Sequence, residues 1–119
     1  MRLPESERVV MDILWRNGPT HATEVARILN EKIGWNKTTT YTMLTRCMGK
    51  GYLKRSEPKF LCTALLDKNE VTLTETDALI ENNYNGSADL LVAALVDRKL
   101  VSLKEMERLH ELMKQMEEK

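Results

Sequence analysis

Three breaks, at Asn17-Gly18-Pro19, Gly34-Trp35-Asn36 and Gly51, constrain the fold of this chain more than any other feature. They divide its first half into three helical stretches and leave a hairpin behind them. Pro4 suits the first turn of a helix, and Glu5 and Glu7 follow where the helix dipole favours acids. Val10, Ile13 and Leu14 give that helix an apolar face before Asn17-Gly18-Pro19 stops it. Thr20 or His21 is placed to cap a second helix, whose apolar residues Ala22, Val25, Ala26, Leu29 and Ile33 recur at helical spacing. Asn36 is a good N-cap for a third.

The third helix, expected over about residues 37–50, is unusual in what it turns outward. With Leu44 at the centre of the buried face, Thr40, Cys47 and Met48 fall beside it. The opposite face then holds Thr38, Thr39, Thr42, Thr45, Arg46, Gly49 and Lys50. Threonine is a mediocre helix former, so four of them on one outward face serve stability poorly and point to a binding surface. Hydroxyls and cations together suit phosphates and base edges. Gly51 ends the helix, and residues 52–56 and 60–63 read as two short strands joined by Glu57-Pro58-Lys59. Two helices, a short turn, a third helix and a basic-tipped hairpin are the order of a winged helix-turn-helix.

Charge agrees with that order. The chain is neutral overall, yet residues 1–68 hold 12 Lys and Arg against 7 Asp and Glu, whereas residues 69–119 hold 6 against 11. Within residues 32–59, Lys32, Lys37, Arg46, Lys50, Lys54, Arg55 and Lys59 face Glu57 alone. A local basic excess is the footprint of a polyanion-binding surface, although a solvated basic face balanced by an acidic neighbour gives the same count.

The remaining residues read as helical throughout. Asp67-x-x-Glu70 looks like a capping box opening a helix that reaches about Tyr84. Asn85-Gly86 breaks it, Ser87 caps the next, and Leu90, Leu91, Ala94 and Leu95 form an apolar face. Ser102-x-x-Glu105 is a regular capping box, followed by a stripe of Leu103, Met106, Leu109, Met113 and Met116 with Leu112 alongside. A unit of ~50 residues buries such a stripe poorly by itself. The stripe, with Leu90, Leu91 and Leu95, is therefore expected to pack against a second copy; docking back on the first 68 residues is the alternative. The fold class expected is mainly α with a small β wing. A winged helix-turn-helix DNA-binding domain over residues 1–68 would precede an α-helical dimerisation domain over residues 69–119.

Nearly the whole chain resembles the penicillinase-repressor family of winged-helix transcriptional regulators. The resemblance begins with Leu3-Pro4-Glu5-Ser6-Glu7 and Val10-Met11-Asp12-Ile13-Leu14-Trp15 and passes through Val25 and Leu29. It then covers Lys37-Thr38-Thr39-Thr40-Tyr41-Thr42-Met43-Leu44-Thr45-Arg46, with Lys50-Gly51-Tyr52-Leu53 leading into the wing. It implies a homodimeric bacterial repressor of resistance or metal-homeostasis genes that binds an inverted repeat, with the third helix in the major groove and the wing on the backbone. Matched residue by residue, the implied groove contacts are Asn36, Lys37, Thr38, Thr39, Tyr41, Thr42 and Arg46, joined by Thr45 and Lys50 from the outward face of the helix. Lys54, Arg55 and Lys59 are the implied wing contacts to phosphate.

This chain departs from the family pattern at three places. Where the β-lactam branch is cleaved between Asn and Phe, the matching residues are Ala94 and Leu95, so that cleavage site does not carry over. The tail lacks the paired Cys-x-Cys motifs of the copper-responsive branch. Thr40 and Cys47 replace the larger aliphatics usual in the third helix. What relieves repression is left open between a small ligand, a protease cutting elsewhere and a sensor partner.

Other functions find less support. Cys47 and Cys62 fall short of a disulfide framework and read as small buried hydrophobes, with a redox pair the alternative. His21 and His110 form no ligand cluster with them, so neither a metal nor a cofactor is expected. Trp35 reads as a core plug and the methionine stripe as adaptable packing. A phosphate loop, a nucleophile elbow and a zinc-protease motif are all missing from the sequence, so no catalytic residue and no enzyme is expected. There is neither a signal-peptide pattern nor an apolar run near the ~18–20 residues of a bilayer span, so the expectation is a cytoplasmic protein. The reading in a different class is a winged-helix protein–protein adaptor, which would need an apolar third-helix face.

Overall fold

In the computed structural model, which describes residues 2–118, each of the three breaks ends an element. Pro4 stands at the N-cap of α1 (Glu5–Asn17), one place ahead of the first turn, and its carbonyl accepts from the N–H groups of Glu7 and Arg8. Gly18 closes that helix by donating to the Leu14 carbonyl. After α2 (Ala22–Ile33), Gly34 adopts φ 71° and donates to the Asn30 carbonyl at 3.0 Å. A β-carbon disfavours that left-handed conformation, so the glycine is a specific stop. Asn36 then caps α3 (Lys37–Gly49) as its sequence position implies, with Oδ1 accepting from the Thr39 N–H at 2.8 Å.

The hairpin is β2 (Leu53–Ser56) and β3 (Leu61–Ala64), antiparallel with Leu53 opposite Ala64 and Ser56 opposite Leu61. It belongs to a three-stranded sheet, because β1 (Thr20–His21) pairs along the other edge of β3, with Thr20 opposite Cys62. This corrects the expectation of a side-chain cap at Thr20 or His21. His21 occupies the N-cap position of α2 without a capping side-chain bond, and the Thr20 hydroxyl donates to the Gly18 carbonyl at 2.8 Å. The ladder instead satisfies the first N–H of the helix: the Ala22 N–H donates to the Phe60 carbonyl at 3.0 Å.

The chain divides into two compact units, Met1–Glu75 and Thr76–Lys119, with the division inside α4 (Lys68–Asn83). The first unit has one core. Leu3, Val10, Met11, Ile13 and Leu14 meet Ala22, Val25 and Leu29 of α2, Leu44 and Cys47 of α3, Leu53 and Cys62 of the sheet, and Val71 of α4. Trp15 and Trp35 are half-buried against it, and the Trp15 indole N–H donates to the Leu66 carbonyl at 2.9 Å. Arg8 of α1 pairs with Glu75 of α4. Ile33 does not join this core: at the last residue of α2, a turn beyond Leu29, it stays 48 % exposed.

The second unit holds the rest of α4, α5 (Ala88–Asp97) and α6 (Leu103–Glu117). The capping box that opens α6 is complete: the Ser102 hydroxyl accepts from the Glu105 N–H, and the Glu105 carboxylate accepts from the Ser102 N–H. Those bonds hold the Glu105 carboxyl below the usual range. Ser87 stands at the N-cap of α5, but its hydroxyl turns to the Asp89 carboxylate rather than to a helix N–H. No buried residue is found in α5 or α6. Among the described residues, no helix is long and apolar enough to cross a membrane.

Candidate nucleic-acid interface

α3 is held by its inner face, and that fixes what it presents outward. Thr40, Leu44 and Cys47 are fully buried, which leaves Lys37, Thr38, Thr42, Thr45 and Arg46 exposed and Thr39 and Tyr41 half-buried. Lys37, Thr38, Tyr41, Thr42 and Thr45 line one open depression. Two of the polar groups are partly engaged: Asn36 Oδ1 caps the helix, and the Thr42 hydroxyl donates to the Thr38 carbonyl at 2.9 Å. The Asn36 amide hydrogens and the Thr42 lone pairs stay available, since each group has more hydrogen-bonding capacity than these contacts use.

The wing stands beside this face. Tyr41 of α3 meets Phe60 edge to face, with ring centroids 5.7 Å apart and planes at 86°. The Lys37 ammonium lies 5.6 Å from the Tyr41 ring centre, and the Arg55 guanidinium 4.0 Å from that of Phe60. Both distances fall within the range of cation–ring attraction. Arg55 Nε also donates to Glu57 at 2.7 Å, and that bond, with the Phe60 N–H behind it, holds the Glu57 carboxyl below its ordinary range. Among the described residues, Lys37, Arg46, Lys54 and Lys59 have no carboxylate at ion-pair distance. Their charge is therefore open to a polyanion.

Lys50 differs from these. Its ammonium pairs at 2.5 Å with Glu7 of α1, whose side chain is 1 % exposed, and lies 5.8 Å from the Tyr52 ring centre. The pair pushes the Lys50 ammonium above the ordinary lysine range. The other Glu7 oxygen and the Thr40 hydroxyl are buried without a hydrogen-bond partner. The charge that the sequence assigns to Lys50 is thus answered from inside the protein. Cys47 and Cys62 are both buried, and burial pushes each thiol up to about 11, so they stay protonated at neutral pH.

Of the twelve residues that the sequence singles out, Asn36, Lys37, Thr38, Thr39, Tyr41, Thr42, Thr45 and Arg46 share α3 and its cap, while Lys54, Arg55 and Lys59 are exposed on the wing. Lys50 sits at the C-cap of α3 on its own anchor. Sequence reasoning missed Glu7, Glu57 and Phe60. Arg55-x-Glu57 across a hairpin turn was a visible cue for the second, whereas the buried side chain of Glu7 had none.

The second unit also leaves apolar side chains exposed. Leu103 is 76 % exposed and Met116 73 %, and Leu90, Met106, Leu109, Leu112 and Met113 are exposed as well, with Leu91 and Leu95 half-buried. No group of three or more His, Cys, Asp or Glu side chains that could hold a metal occurs among the described residues.

Comparison with known proteins follows the same outline. The family model described as Penicillinase repressor matches residues 3–115. The Penicillinase repressor of Bacillus licheniformis is 22 % identical over 116 residues, covering 96 % of this chain and 91 % of that protein. The methicillin resistance regulatory protein MecI of Mammaliicoccus sciuri is 23 % identical over 113 residues, covering 93 % and 92 %. Among solved structures, the monomeric form of Bacillus licheniformis BlaI in complex with the blaP half-operator is similar at a TM-score of 0.51 and 26 % identity. That match covers 59 % of this chain and 88 % of the solved one.

Proposed function

Because this chain belongs to the penicillinase repressor family, we propose that it is a transcriptional repressor that binds double-stranded DNA sequence-specifically, as a homodimer on an inverted-repeat operator. The observation that carries this reading is the outward face of α3, where threonine hydroxyls and unpaired cations stand beside a cationic wing. α3 enters the major groove, where Thr38, Thr42, Thr45, Lys37 and Arg46 share base reading and backbone anchoring. Lys54, Arg55 and Lys59 lie on phosphates. The chain acts by binding and carries out no reaction. It controls resistance or stress-response genes, and the names of its relatives point to the resistance kind.

The exposed apolar side chains of the second unit support the dimer. Exposed apolar side chains that recur along α5 and α6 cost free energy in water and gain it against a matching surface. A second copy supplies that surface, and two-fold symmetry then matches an inverted repeat whose half-site centres lie roughly 34–36 Å apart. Selection of duplexes from a random pool by the full chain, at moderate and at high salt, tests the reading. An inverted repeat is expected, with recovery falling as salt rises because counterions are released on binding. Recovery of no motif by a folded protein overturns it and moves the adaptor reading ahead.

A further inference from the structure

Phe60 has no polar group to offer DNA, yet it stands at the centre of the contacts between α3 and the wing. Its ring meets Tyr41 at 5.7 Å on one side and carries the Arg55 guanidinium at 4.0 Å. Its backbone is held at both ends: the carbonyl accepts from Ala22 at the start of α2, and the N–H donates to Glu57 at 3.3 Å. Phe60 and Lys59 are both left-handed, with φ 53° and 64°. Side chains other than glycine rarely adopt that conformation, and they keep it only where their surroundings dictate it. The neighbouring His21 ring and Lys59 carbonyl, 3.1 Å apart, tie the same turn to β1.

We propose that Phe60 is a positioning residue for DNA reading: its ring sets the wing cation Arg55 at a fixed place beside the reading face of α3. This rests on the sequence-specific DNA binding proposed above. The sequence Lys37–Tyr41–Phe60–Arg55 then acts as one track, in which two aromatic rings space a cation of the helix from a cation of the wing. Attraction for DNA as such depends on how many cations reach phosphate, and that number is the same with or without the ring. Discrimination depends on helix and wing engaging their targets together. Loss of the ring therefore lowers affinity for operator and leaves affinity for other DNA in place.

The experiment compares the full chain with Phe60→Leu, Phe60→Met and Phe60→Tyr on the duplex selected by the wild type and on a scrambled duplex of equal length. Leucine and methionine keep an apolar side chain at this half-buried position, so two independent variants report the loss of the ring; tyrosine keeps the ring. Expected is a loss of operator affinity of roughly tenfold in the leucine and methionine variants, the scale of one aromatic pair with one cation–ring contact. Affinity for the scrambled duplex stays within about twofold, and Phe60→Tyr restores operator binding. Operator binding at wild-type strength in a folded leucine or methionine variant overturns the proposal, as does an equal loss on both duplexes or a tyrosine variant that fails to restore. A wild type that does not distinguish the two duplexes overturns instead the reading on which the proposal rests.

Discussion

Cations on this surface fall into two kinds, and single substitutions separate them. Among the described residues, Lys37 and Arg46 on the outward face of α3 have no carboxylate at ion-pair distance. Replacing either by alanine is expected to weaken operator binding by ~1–3 kcal/mol where it touches a base edge. Where the residue touches phosphate instead, the loss is uniform across sequences and the salt slope falls by about one. Titration of each variant at two salt concentrations distinguishes the cases. Lys50 is held by the buried Glu7 carboxylate, so its role is first structural. Its ammonium is raised above the unfolded value, so the stabilisation is fully present below the unfolded lysine pKa and is lost as pH rises through the folded one. Thermal unfolding of the wild type is therefore expected to become easier above about pH 10.4. Lys50→Met is expected to be less stable at neutral pH, because it leaves a buried carboxylate unpaired, and to lack that alkaline step.

α3 is the element on which most depends, and its two ends of control are separable. Asn36→Ala removes the cap and is expected to cost ~1 kcal/mol of stability. Leu44→Ala opens a cavity beneath the outward face of α3 and is expected to cost ~2–5 kcal/mol. Urea titrations measure both. This helix was legible in the sequence because its cap, its buried positions and its terminal glycines are local signals. β1 was not. Two residues carry no periodicity, and Thr20 and His21 form a strand only because β3, some forty residues on, offers an edge. The same non-locality hid Phe60, whose partners Tyr41 and Arg55 are brought to it by the helix and the hairpin rather than by spacing. Ser87 and Ile33 show a smaller limit: a cap residue can choose a neighbouring carboxylate, and a helical repeat can run past the end of its core.

At the scale of the whole molecule, the dimeric repressor proposed above makes the basic first half and the exposed apolar side chains of the second unit serve one function through pairing. Charges placed at Leu109 and Met113, both exposed on α6, are expected to make the chain monomeric in sedimentation without unfolding Met1–Glu75. Such a monomer still presents α3 and is expected to bind a half-site weakly, because linking two half-site contacts raises overall affinity beyond either alone. A wild type that sediments as a monomer at the same concentration contradicts the dimer. The most direct single measurement is the affinity of the full chain for its selected inverted repeat against a scrambled duplex at physiological salt. Sequence-specific repression predicts a preference of at least ~10³-fold for the repeat, with two chains bound. Equal affinity for both duplexes would contradict it.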